Sequence, residues 1–297
     1  MGFGRRSTAE DVTEGLDLRG KTAVITGVNS GLGQESMRVL AARGARVIGL
    51  ARTREKAEAA CAGVDGDTVP VACELSDFGT VRDAAREIRA MGMPIDILMT
   101  NAGIMAPKQL RHAHGVEMQF ATNHLGHFIL VNNLLEQVRQ APAGRIVILS
   151  SAAHKFAVSG GIAFDNLDAS GGYDPWRFYG QSKLANLLHA RELSRRLDGT
   201  RVTANALHPG VIQTNLARDA QGLLLSVARL FSPFLYKSVP QGAATQCYVA
   251  THPAADRVSG AYFADCREAG TSAWGRDDRL AGQLWKESER LTAGYLE

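Results

Sequence analysis

The sequence predicts an α/β protein built on a single doubly wound parallel sheet with helices on both faces. Three observations carry that expectation. Short β-branched runs alternate with longer helical patterns from Lys21 onward, at least six such pairs precede residue 210, and no Gly/Ser/Pro tract divides them. Right-handed crossovers then place helices on both sides of one sheet. Thr22–Thr26 reads as the first strand and residues 33–43 as a helix with Met37, Leu40 and Ala41 on one face, closed by Gly44. Residues 45–51 form the second strand, and residues 54–62, rich in Ala, Glu and Lys, a second helix. A third strand follows at 69–75. Asp77 is placed to N-cap a helix reaching Met91, after which 95–100 is the fourth strand. A helix around 117–140, a strand at 145–150, a helix around 179–197 and a strand at 201–207 continue the alternation. Residues 1–20 read as an N-terminal extension and 21–297 as one domain.

The composition narrows the function classes. Hydrophobic residues at 45% and charged residues at 21% exclude a disordered or collagen-like chain. The 33 basic and 30 acidic side chains form no long single-sign block, so no nucleic-acid partner is expected. No apolar run follows Arg5 and Arg6, which argues against a secretory leader. The most apolar later stretch, 222–236, is interrupted by Arg229 and Pro233 and is shorter than the roughly 18 residues of a spanning helix, so no integral membrane anchor is expected. Cys61, Cys73, Cys247 and Cys266 lie far apart without a C-x-x-C pair, which favours a reducing, cytoplasmic setting over disulfides or a zinc ribbon.

The first turn, Thr26-Gly27-Val28-Asn29-Ser30-Gly31-Leu32-Gly33, runs from a strand into a helix. Glycines there let the backbone approach a pyrophosphate, and the helix start supplies N–H donors. A tight turn needs glycine on steric grounds alone, but the strand–turn–helix setting favours a dinucleotide. At the end of the second strand an acidic residue would bond a ribose 2′-hydroxyl and an arginine would accommodate a 2′-phosphate. Arg52 and Arg54 stand there with no carboxylate before Glu55, which favours NADP(H) over NAD(H) and competes with a reading of both as solvated surface charges. Tyr179 and Lys183, four apart on a predicted helix, share a face. An ammonium beside the phenol is expected to lower its pKa and let it exchange a proton with a substrate oxygen.

Further motifs follow in order: Asn101-Ala102-Gly103 after the fourth strand, Asn123 in Asn-His-Leu-Gly-His-Phe, Ser151 in Leu-Ser-Ser, Pro209-Gly210, and Thr214. With the glycine turn and the Tyr/Lys pair, these resemble the short-chain dehydrogenase/reductase family from Lys21 to about Phe263. Within it the chain is similar to the branch of retinol dehydrogenases and the WW-domain oxidoreductase catalytic domain, although the membrane-anchoring N-terminus of most retinoid enzymes in that branch is not expected here and Glu74 stands where the family usually has Asp. The resemblance implies a Rossmann fold whose cofactor lies against Gly27, Asn29, Ser30, Gly31, Leu32 and Gly33. Glu74 and Leu75 would flank the adenine beside Arg52. Asn101, Ala102, Gly103, Tyr179, Lys183, Pro209, Gly210, Val211 and Thr214 would complete the site. It also implies catalytic roles. A substrate oxygen sits between Ser151 and Tyr179, Tyr179 is the acid or base, Lys183 lowers its pKa and holds the nicotinamide ribose, and Asn123 holds a relay water. Members of the family pair through the helices carrying Asn123 and Tyr179, so a homodimer or homotetramer is expected.

Alternation points Ser150 away from whatever Ser151 faces. His124 and His127 have no carboxylate or cysteine partner at a recognised spacing, so they read as satisfied helix histidines and no metal site is expected. His154 is either a lining residue of the substrate mouth or an ordinary polar contact. Residues 152–178 and 213–240 are the candidate substrate walls; within the second, 223–235 reads as a hydrophobic lid, a packed helix or an interfacial contact. The expected function is interconversion of a lipophilic carbonyl and its alcohol with NADP(H). The alternatives are an NAD(H)-dependent dehydrogenase of steroid-like hydroxy compounds and a non-catalytic dinucleotide sensor.

Overall fold

A computed structural model of the chain describes residues 2–212 and 236–297. Among these residues eight strands form the central sheet: β1 (Thr22–Thr26), β2 (Arg46–Ala51), β3 (Thr68–Ala72), β4 (Ile97–Thr100), β5 (Arg145–Leu149), β6 (Thr203–His208), β7 (Tyr262–Ala264) and β8 (Arg267–Glu268). The spatial order is β3-β2-β1-β4-β5-β6-β7-β8, parallel except for β8, which returns antiparallel to β7. Strand order reverses between β1 and β4, and the crevice at their carboxyl ends is where such sheets bind ligands.

Alternate residues of the strands feed two cores. Val24, Ile48, Leu98 and Ile146 face one side, while Ile25, Val47, Met99 and Val147 face the other. The first core is covered by α4 (Phe78–Ala90), α5 (Gly126–Gln140), α6 (Pro175–Arg196) and α8 (Asp278–Thr292). The second is covered by α2 (Gly31–Ala42), α3 (Arg54–Ala62) and α7 (Val239–Thr251). Burial on both faces is why the strands read as continuous apolar runs.

Most expected boundaries hold within a few residues. The Asp77 carboxylate caps α4 by accepting from the amides of Gly79 and Thr80. The expected third strand is shorter and ends at Ala72. The helix expected from Tyr179 begins at Pro175, because Asp174 accepts the amides of Trp176 and Arg177 and proline suits the first turn. Before α5, Met118–Phe120 passes through a π-helical turn at Ala121–Leu125 that carries Asn123.

Both chain ends are docked. The short helix α1 (Ala9–Thr13), with a Thr8/Asp11 capping box, buries Ala9 and Val12 against Val39, Ala243 and Cys247, while Glu10 pairs with Arg38 and Arg43. At the other end, Trp285 of α8 lies 4.9 Å from the Phe128 ring and 5.7 Å from His189, so α8 covers both α5 and α6. Arg191 pairs with Asp278 at 2.6 Å, and the Glu297 carboxylate meets Arg86 and Arg89. The chain's own C-terminal helix therefore occupies a face of the two helices through which pairing was expected.

Candidate active site

The end of β1 is tied to the end of β4 by one hydroxyl. Thr26 Oγ1 accepts from the amides of Asn101 at 2.9 Å and Ala102 at 3.0 Å, and the Asn101 Nδ2 donates to the Thr26 carbonyl at 2.8 Å. Gly27 and Gly31 have φ of +75° and +60°, a region L side chains rarely enter. A Cβ on Gly33 would collide with the Gly27 carbonyl oxygen and stand 2.6 Å from Asn101 Nδ2. The turn and the start of α2 thus make a cradle that side chains would fill. Asn29 and Ser30 are exposed along it, and Ser30 places no side-chain cap on α2, leaving helix-start donors turned to the crevice. These features fit a dinucleotide pyrophosphate.

Ser151, Tyr179 and Lys183 converge beyond the cradle. Ser151 Oγ accepts the Ala153 amide at 3.2 Å, and the Lys183 Nζ lies 5.8 Å from the Tyr179 ring centre. Lys183 is 3% exposed and donates to the Leu149 carbonyl at 3.1 Å. Burial pushes the Tyr179 phenol up to about 12, with the Ser151 hydroxyl acting the other way, and burial lowers Lys183 to about 8. Burial disfavours the charged form of both groups, so the phenol stands above its ordinary value here, where the ammonium was expected to bring it down. Ser150 points away, donating to the Lys183 carbonyl at 2.7 Å.

The Asn123 amide is a brace. Its Nδ2 donates to Ser182 Oγ at 2.9 Å and to the Ile104 carbonyl at 3.0 Å, and its Oδ1 accepts the Ile104 amide at 2.8 Å. Both amide protons are committed, so the side chain locks the loop after β4 onto α6. Gly103 keeps this junction close: a Cβ there would stand 3.0 Å from Asn123 Oδ1 and 3.5 Å from Lys183 Nζ.

The remaining expected cofactor residues divide. Arg52 is exposed, with no hydrogen bond or ion pair among the described residues, whereas Arg54 is engaged by the Glu87 carboxylate at 2.8 Å and by the Pro70 carbonyl. Glu74 Oε1 accepts from Ser76 N at 3.1 Å and Ser76 Oγ at 2.9 Å, and Leu75 is buried against the start of α5. Gly210 has φ +100° and lies on the Lys237 stem, between half-buried Pro209 and exposed Val211. Thr214 and residues 213–235 of the expected lid lie outside the described residues.

Three supporting residues were missed or left open in the sequence. Gln246 of α7 sends its Nε2 to Ser36 Oγ at 2.6 Å, to the Leu32 carbonyl at 3.2 Å and to Asn101 Oδ1 at 3.4 Å, joining the glycine turn to the Asn101 turn. No local motif marks a glutamine 145 positions from Asn101. His127 links Thr26 Oγ1 at 2.9 Å to the Asn123 carbonyl at 3.0 Å. His154 holds the Ser151 carbonyl at 2.7 Å and accepts the Ser272 amide at 3.2 Å. Its role is to fix the backbone of Ser151.

Beside Tyr179 an open cleft of about 410 Å³ is lined by Phe156, Ala157, Ser159, Trp176, Arg177 and Trp274. The Trp176 ring meets Tyr179 edge-on at 6.2 Å, and Phe156 is 72% exposed. Both residues come from the segment expected to form a substrate wall.

Comparison with known proteins agrees with this geometry. Residues 21–165 match the short chain dehydrogenase family model. The chloroplastic short-chain dehydrogenase TIC 32 A of Brassica napus is 45% identical over 98% of this chain and 94% of that protein. Retinol dehydrogenase 14 of Mus musculus is 39% identical over 94% of this chain and 88% of its own. A solved structure from Mycobacterium paratuberculosis superposes with TM-score 0.78 at 35% identity, covering 95% of this chain and 97% of that one. The glycine cradle at the strand reversal and the buried Tyr179–Lys183 pair fit an NAD(P)-dependent oxidoreductase, and the chain belongs to the short-chain dehydrogenase/reductase family.

Proposed function

We propose that the protein interconverts a lipophilic carbonyl compound and its alcohol with NADP(H). The observation that carries this reading is the placement of the Ser151 and Tyr179 hydroxyls side by side, with Lys183 behind them and an aromatic cleft opening next to Tyr179. The bound cofactor supplies or accepts the hydride at its nicotinamide ring. In the reductive direction Ser151 and Tyr179 stabilise charge developing on the substrate oxygen, and the neutral Tyr179 phenol gives up its proton there. Lys183, charged below about pH 8, stabilises the phenolate that results. The apolar walls of Phe156, Trp176 and Trp274 favour a lipophilic substrate, in keeping with the retinol dehydrogenases among the relatives.

NADP(H) is favoured because Arg52 is an uncommitted guanidinium at the end of β2. A reducing, cytoplasmic setting is consistent with four buried free cysteines. Since α8 lies over α5 and α6, we assign any self-association to another surface. The test is nicotinamide absorbance during incubation with NADPH or NADH and a panel of aldehydes, ketones and retinal. NADPH consumption by wild type, lost by a factor of about 10² to 10⁴ in Tyr179→Phe with cofactor binding intact, is the expected result. Equal turnover by Tyr179→Phe would reject the mechanism.

A further inference from the structure

We propose that the aromatic cleft beside Tyr179 is a subsite for the far end of the substrate, and that Arg177 makes it select an anionic group there. The inference rests on the carbonyl–alcohol reading above and narrows its substrate class to lipophilic carbonyl compounds carrying a carboxylate.

The sequence of the α6 N-terminus sets up the arrangement. Asp174 caps the helix through the amides of Trp176 at 3.0 Å and Arg177 at 2.9 Å, which fixes the first turn. Trp176 and Tyr179, three apart, share a face, and their rings meet at 6.2 Å. Arg177 is the next residue around the helix, so Trp176 stands between the catalytic phenol and the part of the cleft that Arg177 borders. The opposite wall, Phe156 and Ala157, is pressed onto α6 at Gly180: a Cβ there would stand 2.7 Å from the Ala153 carbonyl oxygen and 2.9 Å from the Ala157 nitrogen. That close approach keeps the cleft continuous with the helix that carries the phenol. Trp176 both lines the cleft and meets the phenol ring at 6.2 Å, so it links the two, and the substrate body beyond it is placed against Phe156 and Trp274.

Among the described residues the charge lining the far end has one sign. No carboxylate lines the cleft, and the Arg177 side chain has no hydrogen bond or ion pair among the described residues. Asp174, the nearest acid in sequence, has its Oδ1 committed to two backbone amides. An arginine at the border of an aromatic cleft offers a planar set of donors matched to a carboxylate. A neutral ligand would leave that guanidinium in water, while an anionic one gains a charge-assisted contact and keeps its chain on the aromatic walls.

The test compares 12-oxododecanoate with its methyl ester, using NADPH and the full-length protein. Wild type is expected to prefer the carboxylate in kcat/KM by about three- to tenfold, mostly through KM, as befits a partly exposed ion pair. Arg177→Gln should remove the preference by raising KM for the carboxylate while leaving the ester unchanged. Arg177→Glu should reverse it, and Arg177→Lys should retain part of it. Turnover of both compounds with a ratio unmoved by Arg177→Gln and Arg177→Glu would overturn the inference and leave the carbonyl–alcohol reading standing. Binding of NADPH with no turnover of either compound or of any carbonyl panel member would overturn both.

Discussion

Lys183→Met should make the protein more stable at neutral pH while abolishing its activity. Lys183 is 3% exposed, and burial lowers its pKa from 10.5 to about 8, a difference worth about 3 kcal/mol against the charged form. That cost is present in full below pH 8, where the buried lysine is charged, and fades as pH rises toward 10.5, where the unfolded chain also loses the proton. Methionine keeps most of the volume and carries no charge. The lost hydrogen bond to the Leu149 carbonyl costs about 1–2 kcal/mol. The carbonyl itself is not stranded, because Asn186 Nδ2 still donates to it at 2.9 Å. The balance is a gain of about 1–2 kcal/mol at pH 7, or a rise in Tm of a few degrees. Thermal unfolding followed by circular dichroism at pH 7 and pH 10, beside a turnover assay, reads all of this. A variant less stable than wild type at pH 7, or an advantage that persists undiminished at pH 10, would refute the assignment of Lys183 as a buried charge maintained for chemistry.

Other substitutions probe the cradle and the cofactor preference. Arg52→Glu should cut kcat/KM for NADPH by about tenfold or more relative to NADH, whereas Arg54→Ala, which breaks the contacts to Glu87 and the Pro70 carbonyl, should leave the ratio unchanged in the same kinetic comparison. Gly33→Ala drives a Cβ into the Gly27 carbonyl. A fluorescence titration should then show loss of dinucleotide binding, with destabilisation of about 1–3 kcal/mol in chemical unfolding. Gln246→Leu removes the donor that joins Ser36, the Leu32 carbonyl and Asn101. The dinucleotide Kd should rise several-fold, and an unchanged Kd would show that α7 does not hold the cradle.

The local signals in the chain determined much of this protein. The β-branched runs and the helix stops placed the first six strands, since strands buried on both faces must be apolar along their length. The glycine turn was readable because positive φ and close backbone approach admit little else, and the Tyr179–Lys183 pair because four residues make one helical turn. Arg52 and Arg54 looked alike as letters, and only the position of Glu87 on α4 showed that Arg54 is committed. The sign of the Tyr179 shift was likewise invisible, because it depends on how deeply α6 buries the phenol and the ammonium together. Gln246, His127 and His154 act through partners 214, 101 and 118 residues away in sequence. The covering of α5 and α6 by α8 belongs to the same class. Periodicity records which face of an element is apolar; which other element fills it is decided by packing in three dimensions, and that is where the supports of this site, and the cleft beside it, were settled.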